Sequence, residues 1–242
     1  MKLLDSITIP HASGSRSIRL YQGDLSAIPE FEAVDLLIVS AYPGAYHPSP
    51  GTLIGALDRE GISLFELARE KEDDLREAFS CWISKDVSRE HPRAGFRRVL
   101  CFEAEIRGRA SAVMGLIFRT IAAAGPFDPP IRSVATPIPA SGDQGYDPDT
   151  MLEALLDAAV PWMARGIPLD VLKIVVYSAE TVELVRPVFA HEKARLAGAD
   201  PHRLDRSEIR VGKRIFIGML EIRPRGRMVG RARRRRLAAA AV

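Results

Sequence analysis

Short apolar runs alternate along this chain with segments of helical period. "SITIP" and "SIRLYQGD" predict two strands around the turn signal "HASGSRS", the second ending at Gly23 and Asp24. In "VDLLIVSAY" the block Leu36 to Val39 is continuously apolar, the pattern of a strand buried on both faces, as in a parallel sheet covered by helices. A loop rich in Pro and Gly, "PGAYHPSPGT", leads into Leu53 to Leu57 and then "ISLFELAREKEDDLREAF", which predict short helices, with the acidic "EKEDD" as a solvated helix face or turn. "FRRVLCFEAE" returns as a strand.

Val113, Leu116, Ile117 and Ile121 then share one helical face, and "SVATPI" follows as a strand. Leu152, Leu155, Leu156 and Ala159 repeat at helical spacing behind the capping candidates Asp147 to Asp149. "VLKIVVY" predicts a second fully apolar strand. The helix that follows is capped by Ser178, ends near Gly198 and should bend or break at Pro187. A last strand, "KRIFIGMLEIR", suits a sheet edge. Strands alternating with helices predict an α/β fold of three layers, α/β/α, around a mixed, mostly parallel sheet. We expect one domain over residues 1–222 and an Arg-rich tail over 223–242, disordered or a short helix.

Composition narrows the function classes. With 242 residues and 47% hydrophobic content the chain can bury a sizeable core. No apolar run approaches the roughly 20 residues of a membrane span, and "MKLLDSITIPH" has no long apolar leader, so a cytoplasmic protein is expected. Net charge is +3, but residues 223–236 hold eight arginines and no acid; without them the charge is −5. Nucleic acid is therefore a partner only through that tail. Cys81 and Cys101 form no CxxC pair and read as packed, reduced thiols, so neither metal nor cofactor is expected. His11, His91, His191 and His202 have no base, nucleophile or metal ligand at suggestive spacing in the sequence and read as surface or capping residues.

In open α/β sheets ligands bind beyond the carboxyl ends of the strands. Three loops there combine Gly with polar residues: Gly23-Asp24-Leu25, Ser40 to Thr52, and Ser141 to Tyr146, while Tyr177 and Ser178 close another strand. Together they offer an acid for an exocyclic N–H, backbone donors for phosphates and a ring for stacking a base, an inventory that suits a nucleotide diphosphate. Singly, each has a plainer reading: Asp24 is a turn residue, Tyr177 an edge-of-core aromatic.

In their order along roughly residues 17 to 196, these motifs resemble the macrodomain family, whose members bind ADP-ribose in a cleft across the strand ends. "YQGDL" is similar to the family's Gly-Asp-Ile, which implies that Asp24, beside Leu25, takes the adenine amino group. "LLIVSAYPG" stands where the family carries Val-Asn-Ala-Ala-Asn; Val39 and Ala41 fit, whereas Ser40, Tyr42 and Pro43 depart. "SPGTLIGALDREG" keeps Gly51 and Gly55-Ala56-Leu57, with Thr52 and Leu53 entering the helix. The second phosphate loop retains Gly142 and Gly145-Tyr146, with Ser141, Asp143 and Gln144 as local variants. Phosphate contact is expected from the backbone and Ser141, with Asp143 turned outward because its charge would repel a phosphate. Tyr177 corresponds to the ring that stacks on adenine, and Tyr42, Tyr46 and His47 line or cover the distal pocket. The resemblance implies a module that binds ADP-ribose or a modified derivative, by analogy a sensor of a nucleotide signal in bacterial defence. Two alternatives stand beside it: an ADP-ribosyl hydrolase, and an interaction or RNA-associated protein that works through the tail. The departures at Ser40, Tyr42 and Pro43 favour binding over catalysis.

Overall fold

In the computed structural model, which describes residues 1–11, 14–103, 109–124, 127–165 and 167–198, the apolar block Leu36 to Val39 lies in the middle of β3 (Val34–Ser40). The strand is buried because both its faces are covered. It is flanked by β6 (Phe96–Phe102) and β7 (Ser133–Thr136), both parallel to it. Beyond β7 come β8 (Val171–Val176) and β2 (Gly14–Gln22), again parallel. The five central strands therefore point the same way, and antiparallel strands close both edges: β1 (Lys2–His11) on β2, and β5 (Cys81–Ser84) then β4 (Lys71–Leu75) on β6. The sheet order is β1-β2-β8-β7-β3-β6-β5-β4.

Strand alternation divides the core. Leu37, Val39, Val99, Cys101 and Val175 share one cluster with Ile54 and Leu57 of α1 (Leu53–Arg59) and with Leu64 and Ala68 of α2 (Leu64–Arg69). The intervening Leu36, Ile38, Leu100 and Ile174 turn to the other face and are equally buried. There α4 (Ala110–Ala123), α5 (Pro148–Arg165) and α6 (Ala179–Gly198) pack side by side. This is the expected three-layer α/β/α arrangement with a mixed sheet.

Three buried cations among the described residues are held by specific partners, as burial of charge requires, and one of them, Arg98, donates from Nε to Glu72 Oε2 at 3.2 Å. Arg16 donates to the carbonyls of Met163 and Ile167, closing the carboxyl end of α5, and Lys173, inside the apolar β8, donates to the backbone and carboxylate of Glu32.

Residues 71–75 differ from the expectation of helix or turn. α2 and α3 (Arg76–Phe79) form, but "KEDDL" between them is the edge strand β4, in which half-buried Lys71, Asp73 and Leu75 alternate with exposed Glu72 and Asp74. Backbone pairing with β5 supplies what the side chains do not, and acidic residues on an edge strand discourage further pairing. β5 itself, four buried residues with no alternation, carries no period to read. α6 continues through Pro187 without a break. The expected strand "KRIFIGMLEIR" and the Arg-rich tail lie outside the described residues.

Candidate functional site

Because the central strands are parallel, the loops after Gln22, Val176, Thr136 and Ser40 all emerge at one edge of the sheet, in the spatial order β2, β8, β7, β3. Three strand spacings separate the first from the last, roughly 14 Å. A cleft of about 560 Å³ runs along these ends. Its wall includes Asp24 and Leu25 after β2, Tyr177 after β8, Ser141, Gly142, Asp143 and Gln144 after β7, and Ser40, Ala41, Tyr42, Gly51, Thr52 and Leu53 after β3. Gly145 and Tyr146 are not part of it. The wall also contains the motif residues Val39 and Ala56 and residues the motifs did not single out: the apolar Ile138 and Val175, and Arg59 on α1.

Asp24 is both a turn residue and a wall residue. Its Oδ1 accepts from the Ser26 N–H at 2.8 Å and the Ser26 hydroxyl at 2.7 Å. That turn fixes the side chain and leaves Oδ2 without a partner among the described residues. The Tyr177 residue is 77% exposed, so it is no part of the core, and it stands in the wall of the cleft. Behind it Ser178 caps α6, its Oγ accepting from the Thr181 N–H at 3.0 Å.

The loop after β7 turns back on itself. Gly145, at φ +71°, donates its N–H to the Gly142 carbonyl at 2.8 Å, and the Tyr146 N–H reaches the Ala140 carbonyl at 3.2 Å. Gly145 and Tyr146 thus close the loop and do not face its cavity. Among the described residues the N–H groups of Gly142, Asp143 and Gln144 have no acceptor within the protein. Consecutive uncommitted amides of this kind form an anion-binding concavity. The Ser141 hydroxyl departs from its expected role: it donates to the Ile138 carbonyl at 2.8 Å, so its proton is already engaged inside the loop.

Three bridges tie this loop to the one after β3. The Ala140 N–H donates to Ser40 Oγ at 3.3 Å, Gln144 Nε2 to the Ala41 carbonyl at 3.2 Å, and the Tyr42 hydroxyl to the Asp143 carbonyl at 3.2 Å. All three span about a hundred residues of sequence and join the loops at the ends of adjacent strands. Ala140 itself holds φ +64°, a left-handed conformation that non-glycine residues rarely adopt, at the base of the loop.

No protein-family model matches the chain, and no curated protein matches it in sequence. Solved structures do. A point mutant of the Oceanobacillus iheyensis macrodomain superposes with a TM-score of 0.58 at 12% identity, covering 79% of this chain and 100% of that one. The O. iheyensis macrodomain with ADP gives 0.50 at 13% identity, over 79% and 98% of the two chains. The Trypanosoma brucei macrodomain in complex with ADP gives 0.51 at 17% identity, over 71% and 68%. The chain has the macrodomain fold.

On this macrodomain fold the loop after β3 is braced from below. Tyr46, expected to line or cover the distal pocket, is instead buried beneath it, edge-on to Trp82 with ring centroids 5.7 Å apart. Both donate to the buried Glu103 carboxylate just past β6: the Tyr46 hydroxyl at 2.5 Å and Trp82 Nε1 at 2.6 Å, both to Oε1. The Gly44 N–H donates to Oε2 at 3.2 Å. Burial first, and then the hydrogen bond to Glu103 and its charge, hold the Tyr46 hydroxyl well above its ordinary pKa, so it stays a donor. His47, one residue on, does line the cleft.

The acidic and basic residues of the wall are Asp24, Asp143 and Arg59. No cluster of His, Cys, Asp and Glu able to hold a metal occurs among the described residues.

Proposed function

We propose that this macrodomain fold binds ADP-ribose, or a derivative of it, as a cytoplasmic binding module. The observation that carries the reading is the order of groups along the cleft. A fixed acceptor and an exposed ring, Asp24 and Tyr177, stand at one end; the uncommitted amides of Gly142, Asp143 and Gln144 follow; the loop after β3 stands at the other end. Adenine offers an exocyclic amine to Asp24 and a π-face to Tyr177, and its diphosphate then meets the amides. The ADP held by two of the similar solved structures supports this reading.

Binding is favoured over turnover by the resemblance itself, since Ser40, Tyr42 and Pro43 depart from Val-Asn-Ala-Ala-Asn and Pro43 takes the place of the second Asn, which many hydrolytic members use. A module that binds without consuming its ligand suits the sensing of a nucleotide signal. On this reading the basic residues 223–242 are not needed for ligand binding. Calorimetry with ADP-ribose on the full chain and on a chain ending at residue 222 tests both points. Equal affinities are expected. Binding that disappears with the tail would assign the interaction to its arginines, and no binding by either folded chain would remove the proposal.

A further inference from the structure

Among the described residues Arg59 is the one arginine or lysine in the wall of the cleft, and it makes no hydrogen bond or ion pair there. The sequence leaves it unpaired. Gly55 and Ala56, the residues four and three before it on α1, have no group to pair with, and Asp58 and Glu60 are its immediate neighbours, which do not face it on a helix. Arg59 is exposed, so its guanidinium is open to a solute. Its place in the last turn of α1 complements the helix dipole, but any cation would serve there and none need stand in a cleft.

Local packing places Arg59 on the Asp24 side. α1 leaves the loop after β3, and at about 1.5 Å per residue Arg59 stands roughly 9 Å along the axis from Leu53. Just beyond, Gly61 approaches the His91 ring, and Ile62 shares a core cluster with Leu25, Ile28 and Ala94. Gly95 lies so close to the Ile28 carbonyl that a Cβ would not fit between them. The segment that follows Asp24 and the end of α1 thus converge on residues 91–95, and α1 runs from the β3 loop towards the end of the cleft that Asp24 occupies.

Resting on the ADP-ribose reading, we propose that Arg59 is a specificity-determining residue that binds a phosphate ester on the ribose joined to adenine. The cleft thereby prefers a ligand phosphorylated on that ribose. Asp24 and Tyr177 take the base on this reading and the loop amides take the diphosphate, so the 2′ and 3′ hydroxyls of the first ribose are the positions left at this end to carry a further anion. The planar fork of a guanidinium matches phosphate oxygens, and charge assistance strengthens each bond.

The test is displacement calorimetry on the full-length chain, in which AMP, adenosine 2′,5′-bisphosphate and adenosine 3′,5′-bisphosphate compete with ADP-ribose. Wild type is expected to bind one bisphosphate at least about fivefold more tightly than AMP, and the tighter of the two identifies the hydroxyl. Arg59→Gln is expected to bring that ratio to within about twofold of unity while ADP-ribose still binds. Equal affinity of wild type for AMP and both bisphosphates, or no competition by any of the three, overturns the inference. So does a preference that survives in Arg59→Gln, or an equal loss for every ligand, which would make Arg59 a general counter-charge. Folded wild type that does not bind ADP-ribose overturns the ADP-ribose reading, and this inference falls with it.

Discussion

The Glu103 carboxylate accepts a hydrogen bond from the Tyr46 hydroxyl at 2.5 Å, joining the end of β6 to the loop after β3 across 57 residues of sequence. Trp82 Nε1 shares the same oxygen at 2.6 Å, so one carboxylate satisfies two buried aromatic donors and a backbone amide at Gly44. Replacing it with an apolar side chain strands the Tyr46 hydroxyl and the Gly44 N–H and leaves Trp82 Nε1 only the Tyr46 oxygen at 3.2 Å. Glu103→Leu is expected to lower unfolding stability by about 2–4 kcal/mol, read as a drop in urea midpoint with an unchanged m-value. A loss under about 1 kcal/mol would mean that water satisfies these donors and that the brace is unimportant.

Gly55 lies in the first turn of α1, where an added Cβ would meet the Ser49 carbonyl oxygen at 2.2 Å. Backbone cannot yield as a flexible side chain can, so the segment 49–52 must shift, and with it the cleft residues Gly51 and Thr52. Gly55→Ala is expected to weaken ADP-ribose binding by about tenfold or more, about 1.4 kcal/mol or above, with far-ultraviolet circular dichroism unchanged. Retained affinity would show that this part of the wall does not touch the ligand.

How much of this was legible before the fold is a matter of range. β3 and β8 could be read from continuous apolar runs, and Asp24 and Tyr177 could be placed at strand ends because parallel strands deliver their loops to one edge. β4 could not, since its edge position is set by pairing with β5 and "EKEDD" has no apolar alternation to announce it. The role of Glu103 was hidden for the same reason: its donors stand 21 and 57 residues away in sequence. Ser141 looked like a phosphate donor because its type and loop allow it; only the Ile138 carbonyl, three residues back, shows its proton engaged. Residue type announces what a side chain is able to do, and tertiary contacts decide whether that capacity is still free.

Cys81 and Cys101 are fully buried, and burial pushes the Cys81 thiol up to about 12 and Cys101 well above its ordinary value. A raised pKa keeps both as thiols at neutral and mildly alkaline pH, and the thiolate is the reactive form. Neither is expected to be alkylated by iodoacetamide in the native protein at pH 8, whereas both react in denaturant. Mass spectrometry decides the matter; rapid native labelling would show that the sheet between β5 and β6 opens.

Exposure of Tyr177 makes stacking separable from stability. Tyr177→Ala is expected to weaken ADP-ribose binding by about 1–3 kcal/mol and leave the melting temperature within error, while Tyr177→Phe keeps most of the affinity because the ring is retained. Equal affinities for wild type and Tyr177→Ala would remove the ring from the site.

The adenine end of the cleft carries the central claim, and Asp24→Asn probes it with little disturbance, since the amide oxygen can still accept from Ser26. The amide nitrogen then presents a donor where the carboxylate presented an acceptor, opposing the adenine amine. Calorimetric titration of ADP-ribose into the wild-type chain is predicted to give a saturable single-site isotherm, and into Asp24→Asn a constant weaker by at least about tenfold. No heat from folded wild type, or equal affinity for Asp24→Asn, would contradict the account.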